Sequence, residues 1–375
     1  MQASDSVAVL GYGRFGRALG GLLADGGVPH RAYDPVQQDD MPPEVRADSL
    51  RDLITGPVAQ GAPRPSFVVV AVPVPRIRAA LLDMRPHLTP DQIVLDVGSV
   101  KVGPVAAMAE ILGADVPWVG THPLFGPLSL ALAERPLRVV VCPAPAGSMP
   151  ATHAHAAARV RALYEAIGCE VVEQTPEGHD RVMAHTHALT FFIAKGMIDA
   201  GAGMEVPFAP PSFQAIARTI ETVRSDAGHL FTAIAHENPF AAEARKELVR
   251  ALRTIDGALD AQAAAKERQE EAGPESTGRF AIPDLGERSP ELKQAREHID
   301  AVDREIVRLL AQRAGLSQRA ARAKALIGAP VLDANRETEV MEARKTWAGE
   351  LKLDAEAVAD VFRAIMTMSR RAQRT

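Results

Sequence analysis

The residues of this 375-residue chain that could do chemistry sit in short, glycine-marked motifs. Gly11-Tyr12-Gly13-Arg14-Phe15-Gly16 follows the apolar run Val7–Leu10 and leads into a helical pattern. In such a turn Gly11 permits a tight reversal, Gly13 lets the backbone approach a pyrophosphate, and Gly16 allows close helix–strand contact. The free N–H groups of the helix start suit phosphates, so Gly11, Gly13, Arg14, Phe15 and Gly16 form a candidate dinucleotide site. Asp34 closes the next strand-like run, Arg31-Ala32-Tyr33. An acidic side chain there accepts from a ribose 2′-hydroxyl and repels a 2′-phosphate, which favours NAD over NADP. The same aspartate, standing before Pro35, also suits a plain turn cap.

Two further motifs follow, Asp96-Val97-Gly98-Ser99-Val100-Lys101 and Gly120-Thr121-His122-Pro123-Leu124-Phe125-Gly126-Pro127. The reading expects His122 to leave a strand into a loop fixed by two prolines and two glycines, with its imidazole toward a cleft. An imidazole of ordinary pKa, about 6.5, suits taking a proton from an alcohol while hydride leaves the same carbon. Taken singly, a loop histidine serves a structural hydrogen bond equally well.

These motifs need elements to position them. Val7–Leu10, Phe67–Val72, Ile93–Asp96, Trp118–Gly120, Arg138–Cys142 and Glu170–Val172 read as buried strands, with helical stretches such as Arg14–Ala24, Val74–Met84 and Val102–Leu112 between them. The alternation predicts an α/β Rossmann-type, doubly wound parallel sheet, with ligands at the carboxyl ends of its strands. From His179 to about Lys266 only alanine-rich helical patterns appear, which predicts an all-α substrate and dimerisation domain. Residues 271–278 read as a linker. Beyond Pro290 an apolar seam through Leu292, Ala295, Ile299, Val302, Ile306 and Leu309 runs without a breaker to Gly328. A helix of that length cannot bury its stripe alone, so a bundle or dimer is implied. The expected boundaries are 1–174, 175–266, a linker at 267–288, and 289–375.

Composition narrows the classes. With 47% hydrophobic and 24% charged residues the chain is globular, and its net charge of −5 disfavours nucleic acid as a partner. Two cysteines cannot build a disulfide framework, and no apolar run approaches the roughly 20 residues of a membrane span. The first strand begins after six residues, leaving no room for a signal peptide, so the expectation is a cytoplasmic protein without membrane contact. Residues 286–375 hold 17 Lys and Arg against 14 Asp and Glu, a small basic segment on an otherwise acidic chain. That hints at an anionic ligand there, or at a solvated, arginine-rich helix face.

The motif Gly120–Pro127, the Asp96–Lys101 motif and Gly178-His179-Asp180-Arg181, together with the glycine turn, resemble the prephenate/arogenate dehydrogenase family over about residues 5–260. The resemblance implies NAD-dependent oxidative decarboxylation of prephenate to 4-hydroxyphenylpyruvate. It implies His122 as the base on the substrate hydroxyl, Ser99 as an orienting group, and His179 on the first helix of the substrate domain. There are departures. The family's second histidine, twelve residues after the position of His179, is here Phe191, with His187 one turn earlier. The arginine for the substrate carboxylate is out of register, leaving Arg218 as the candidate and Arg224 behind it. The stretch Glu221–Asp226, continuing to Asn238-Pro239, is similar to the arogenate-using branch.

Leu292–Gln373 resembles the all-helical AroQ-class chorismate mutases. The family's site residues fall on Arg296, Arg313, Lys324, Asp333, Arg336, Glu337, Ser369 and Gln373, with family spacing throughout. Arg313 and Lys324, eleven residues apart, share a helix face about 16 Å apart along the axis, and Ser369 and Gln373 share another. Arg296 lies about 100° around the helix from Arg313 and roughly 25 Å away. A pocket using all three cations therefore needs a second subunit, in keeping with this family's intertwined dimer. Arginine forks suit the two carboxylates of chorismate, while Lys324 and Gln373 can donate to its ether oxygen. Glu337 would have to be protonated to help there, and Asp333 would cap a helix or contact the substrate hydroxyl. The expectation is thus a bifunctional homodimer that takes chorismate and prephenate as substrates, uses NAD and requires no metal. The alternative is an arogenate dehydrogenase whose helical domain serves dimerisation or regulation without turnover.

Overall fold

The computed structural model describes residues 5–36, 41–58, 64–131, 135–144, 151–202, 227–268, 291–326 and 334–372, with short stretches between 210 and 223. It divides into two units, Met1–Pro127 with Pro136–Gly273, and Leu128–Arg135 with Pro274–Thr375.

In the first unit, runs of Val, Ile, Leu and Phe form strands because such side chains suit a pleated surface covered on both faces. Strands β1 (Val7–Leu10), β2 (His30–Tyr33), β3 (Phe67–Val70), β4 (Ile93–Asp96), β5 (Trp118–Pro123), β6 (Leu137–Cys142) and β7 (Cys169–Glu173) make one sheet. Their order is β2-β1-β3-β4-β5-β6-β7. The chain leaves β1 toward β2 on one side and returns to β3 on the other, so the glycine turn after β1 lies at the topological switch point. Helices α1 (Arg14–Asp25), α2 (Leu50–Thr55), α3 (Ile77–Met84), α4 (Val102–Ile111) and α6 (Ala151–Ala166) accompany the strands, and the short α5 (Pro127–Ala131) belongs from Leu128 onward to the second unit. Leu81, Met84, Met108 and Trp118 join the strand residues Val68, Val70 and Val94 in one buried cluster.

The sheet differs from the fully parallel expectation at one place. β5 and β6 pair antiparallel, with His122 opposite Val140 and Pro123 opposite Val139, and β6 and β7 are parallel again. The described residues between β5 and β6 carry only the five-residue α5, and no long helix crosses the sheet there. The antiparallel partner also lengthens β5. Pairing with β4 stops at Gly120, but pairing with β6 continues to Pro123. His122 therefore lies within a strand, not in the loop expected from its prolines and glycines.

The same unit continues as α7 (Pro176–Met183), a π-helical turn over Ala184–Ala188, α8 (Leu189–Asp199), α9 (Ala227–Glu237) and α10 (Ala241–Arg268). Thr175 caps α7 by accepting from Gly178 N at 3.0 Å, with Pro176 at the first helical position. Of the expected linker, only residues 267 and 268 are described, and they end α10.

The second unit contains α11 (Glu291–Leu326), α12 (Ala334–Glu350) and α13 (Ala355–Ala372). α11 spans 36 residues, as the unbroken seam required. Ala348 and Ala359 are fully buried on α12 and α13, which pack on each other; small side chains let the backbones approach. The turn between these helices places Lys352 at φ 57°, a left-handed conformation that glycine adopts more easily. Asp354 then caps α13 by accepting from Glu356 N and Ala357 N.

Candidate functional site

At the glycine turn, Gly11 adopts φ +98°, and a Cβ there would lie 2.5 Å from the Ala71 carbonyl oxygen. A Cβ on Gly16 would overlap the Gly11 carbonyl, whereas one on Gly13 meets no atom within 4 Å. So Gly11 and Gly16 are glycines for packing, and Gly13 faces open space where a ligand backbone could lie. The first turn of α1 holds no acidic residue and has no side-chain cap, which leaves its N–H groups for an anion. Asp34 Oδ2 accepts from Tyr12 N at 2.8 Å, and Oδ1 accepts from Val36 N at 2.9 Å. The carboxylate thus caps its own turn and also holds the glycine loop. The Phe15 and Phe125 rings, 6.2 Å apart, bring α1 against the loop that follows β5.

The Asp96–Lys101 motif folds around a buried ion pair. Lys101 and Asp96 are both 0% exposed, and Lys101 Nζ donates to Asp96 Oδ2 and to the Thr121 carbonyl at 2.5 Å. Asp96 also accepts from Gly98 N, and Thr121 Oγ1 bonds the Asp96 carbonyl and the Tyr164 hydroxyl. Two buried charges persist only when paired and hydrogen-bonded, as here, and they fix the backbone directly before His122.

His122 itself heads a relay. Its Nδ1 lies 2.8 Å from His179 Nε2, and His179 Nδ1 lies 2.7 Å from Asp180 Oδ1. Asp180 Oδ1 also accepts from Lys101 N at 2.7 Å, and Oδ2 accepts from Val102 N at 2.9 Å, so this carboxylate sits at the N-terminus of α4. Asn238 Nδ2 donates to the Asp180 carbonyl at 2.8 Å and ties the α9–α10 turn to α7. An ionised Asp180 accepts the His179 Nδ1 proton. His179 Nε2 then accepts from His122 Nδ1–H, which leaves His122 Nε2 with a lone pair. Burial, and behind it the electrostatic influence of His179, Lys101 and His187, pushes the His122 pKa well below the ordinary 6.5. The imidazole is neutral and ready to accept a proton at neutral pH.

His187, on the π-helical turn, lies parallel to His122 with ring centres 6.4 Å apart, and Phe191 packs edge-on against His187 at 4.9 Å. Ser99 is buried on the loop between Asp96 and Lys101, and its hydroxyl finds no hydrogen-bond partner among the described residues. Arg218 and Arg224 lie outside the described residues. The sequence singles out His122 and His179 without joining them, and it gives Asp180, Lys101 and Asp96 no role. The signal was available, because each is a charged residue inside a motif already singled out.

In the second unit, Arg313 on α11 donates to Ser369 Oγ on α13. Burial, and then the charge of Arg344, lowers the Arg313 pKa. Glu337 on α12 is engaged by Arg370, which reaches both its oxygens at 2.9 and 3.2 Å. Lys324 is half-buried near the end of α11. Arg296 and Arg336 lie on α11 and α12, with side chains outside the described set, and Asp333 and Gln373 fall outside the described residues. Among the described residues no cluster of His, Cys, Asp and Glu could hold a metal, and no helix is long and apolar enough to cross a membrane.

Residues 47–172 match the family model for the nucleotide-binding domain of prephenate dehydrogenase, and residues 295–374 match that for chorismate mutase type II. A Methanocaldococcus jannaschii protein described as a probable arogenate/prephenate dehydrogenase is 26% identical over 205 residues, covering 52% of this chain and 44% of its own length. A 4-amino-4-deoxyprephenate dehydrogenase of Streptomyces pristinaespiralis is 27% identical, covering 68% of this chain and 84% of its own. The chain therefore spans less than half of the first relative and most of the second. Among solved structures, a candidate prephenate dehydrogenase of Corynebacterium glutamicum shares the fold, with a TM-score of 0.56 at 20% identity over 72% of this chain and 91% of its own. The chain thus joins a segment that matches the prephenate dehydrogenase nucleotide-binding domain to one that matches type II chorismate mutase.

Proposed function

We propose that the protein converts chorismate to prephenate in residues 289–375 and oxidatively decarboxylates prephenate to 4-hydroxyphenylpyruvate in residues 1–266. Within the latter, residues 1–174 bind the dinucleotide and residues 175–266 help hold the substrate. The observation that carries the second activity is the His122–His179–Asp180 relay beside a glycine turn suited to a dinucleotide. With NAD held at Gly11–Gly16 and Asp34, the cofactor supplies the hydride acceptor.

His122 Nε2 takes the proton of the substrate hydroxyl as hydride leaves the carbon bearing it. His179 and Asp180 hold the tautomer that keeps this nitrogen unprotonated, and they stabilise the imidazolium that forms. The resulting dienone loses its ring carboxylate as CO2, and the electron pair of the broken bond closes the aromatic ring. His122 returns its proton to the phenolate, so the step consumes no net proton. Aromatisation drives the reaction, which leaves positioning and proton transfer to the protein. Arg218 is the candidate for the substrate carboxylate, and Ser99, whose hydroxyl has no partner among the described residues, can donate toward the reacting oxygen.

The mutase step is pericyclic and needs only a clamp on the reactive conformer and charge at the ether oxygen. Arg313 and Ser369, already joined, receive one carboxylate. Completion of the pocket by Arg296 calls for a homodimer. Support comes from α11, where Ile299, Val302 and Ile306 are 57%, 58% and 46% exposed along one seam, an apolar stripe that a second copy would cover. Prephenate is favoured over arogenate because a tethered mutase delivers prephenate directly. A reducing, cytoplasmic setting suits two buried cysteines that form no disulfide.

The test is to incubate the purified protein with chorismate, with and without NAD, and identify the products. Prephenate alone in the first case, and 4-hydroxyphenylpyruvate with NADH in the second, is expected. Prephenate that persists with NAD, while arogenate is oxidised, would move the dehydrogenase to the alternative substrate. Chorismate left intact would reduce the helical unit to a dimerisation module.

A further inference from the structure

The mutase unit contains a cation that the family resemblance does not assign. Arg344 lies on α12 seven residues after Glu337, which places it on the same face, about 20° around the helix and roughly 10 Å further along the axis. Arg313 stands a comparable distance down α11 from Lys324, about 16 Å. Both arginines meet one face of α13. Arg313 donates to Ser369, and the Arg344 guanidinium lies 5.5 Å over Phe362, seven residues earlier on that helix. Trp347 flanks the guanidinium on its own helix at 4.6 Å.

The electrostatics of this pair are incomplete. Arg344 Nε is buried and has no hydrogen-bond partner, and Arg313 and Arg344 are close enough for one charge to act on the other. No carboxylate among the described residues pairs with either, and Glu337, the acid on the same face of α12, is engaged by Arg370. Two partly desolvated guanidinium groups repel unless an anion lies between them. The aromatic ring under Arg344 fixes the planar fork, so a bidentate anion site is organised in advance.

We infer that Arg344 is a further substrate-binding residue of the mutase pocket, which shares with Arg313 one carboxylate of the substrate. This rests on the reading that residues 289–375 turn over a dicarboxylate, and it adds a second fork where the sequence comparison supplied one. An aromatic-stacked arginine of purely structural purpose would stabilise the unit without touching the affinity for substrate.

The experiment uses the full-length protein with Arg344→Met, which preserves stem volume, and Arg344→Gln, which retains polar character without charge. For each, kcat and KM with chorismate are measured at several sodium chloride concentrations, alongside the NAD-dependent rate with supplied prephenate. One charge-assisted hydrogen bond lost predicts a KM raised about tenfold or more with kcat changed less than about threefold. The rise of KM with salt becomes shallower in both variants, and the prephenate-dependent rate is unchanged. A wild-type KM and salt dependence in either folded variant overturns the inference. So does a fall in kcat at constant KM, which marks a packing role. If Arg344→Met loses helicity, Arg344→Gln decides by the same criteria. A wild-type protein that leaves chorismate intact instead overturns the mutase reading beneath the inference.

Discussion

Replacing Asp180 by Asn tests the relay most directly, because the substitution keeps shape and removes one acceptor. In the native structure Asp180 takes three donors on two oxygens, from His179 Nδ1, Lys101 N and Val102 N. An amide has one acceptor oxygen. If it serves His179 and Lys101, its NH2 faces the Val102 N–H, and a buried donor left unmade costs about 1–3 kcal/mol. Removing a charge from the α4 N-terminus adds roughly 0.3–1 kcal/mol. If the amide turns over, its NH2 faces His179 Nδ1. The tautomer chain then reverses, and His122 Nε2 carries the proton it should accept. Together these give a loss of about 1–4 kcal/mol in stability and a fall in kcat for prephenate oxidation on the order of 10²–10⁴. The assay follows NADH formation from prephenate, with chemical denaturation for stability and chorismate consumption as an internal control. An Asp180→Asn enzyme within threefold of the wild-type rate would remove the relay from the mechanism.

Three other perturbations probe separate parts of the molecule. His122 has a depressed pKa when folded, so between that value and 6.5 the unfolded chain binds the extra proton. Stability should therefore decline as pH falls through 6.5, by up to about 1.4 kcal/mol per pH unit from this group, and His122→Asn should flatten that slope in urea melts at pH 7 and 5.5. The same variant should lose NADH formation at all pH values while retaining NAD affinity by fluorescence titration. Asp34→Ser should shift steady-state preference from NAD toward NADP by tenfold or more, and an unchanged ratio would show that Asp34 serves the loop alone. Lys352→Gly relieves the left-handed turn between α12 and α13 and should stabilise the helical unit by roughly 0.5–1 kcal/mol in thermal melts.

Much of this architecture was legible because local patterning and burial agree. The continuous apolar runs of β1, β3 and β4 are what a sheet covered on both faces requires, and they matched strands almost to the residue. The unbroken seam after Pro290 gave the 36-residue helix for the same reason. What escaped depends on partners remote in sequence. His122 sits in a strand only because β6 returns antiparallel, a choice of direction that residues 118–127 do not encode. Asp180 acts across 79 residues, through the amide of Lys101; its motif marks the charge but not so distant a partner. Glu337 meets Arg370, thirty-three residues on, at both its oxygens, a pairing that the spacing within α12 does not announce.

The attachment of Asp180 to the first amides of α4 also bears on how the cleft admits its substrate. Parting α7 from α4 would strand two backbone donors and a carboxylate at once, so this point behaves as a fixed pivot. Whatever breathing the two halves of the first unit undergo must swing about it, with the largest excursions at the far rim. His122, the proposed proton acceptor, is tied to this pivot through His179. The proposed base thus needs no closure of the cleft to be assembled.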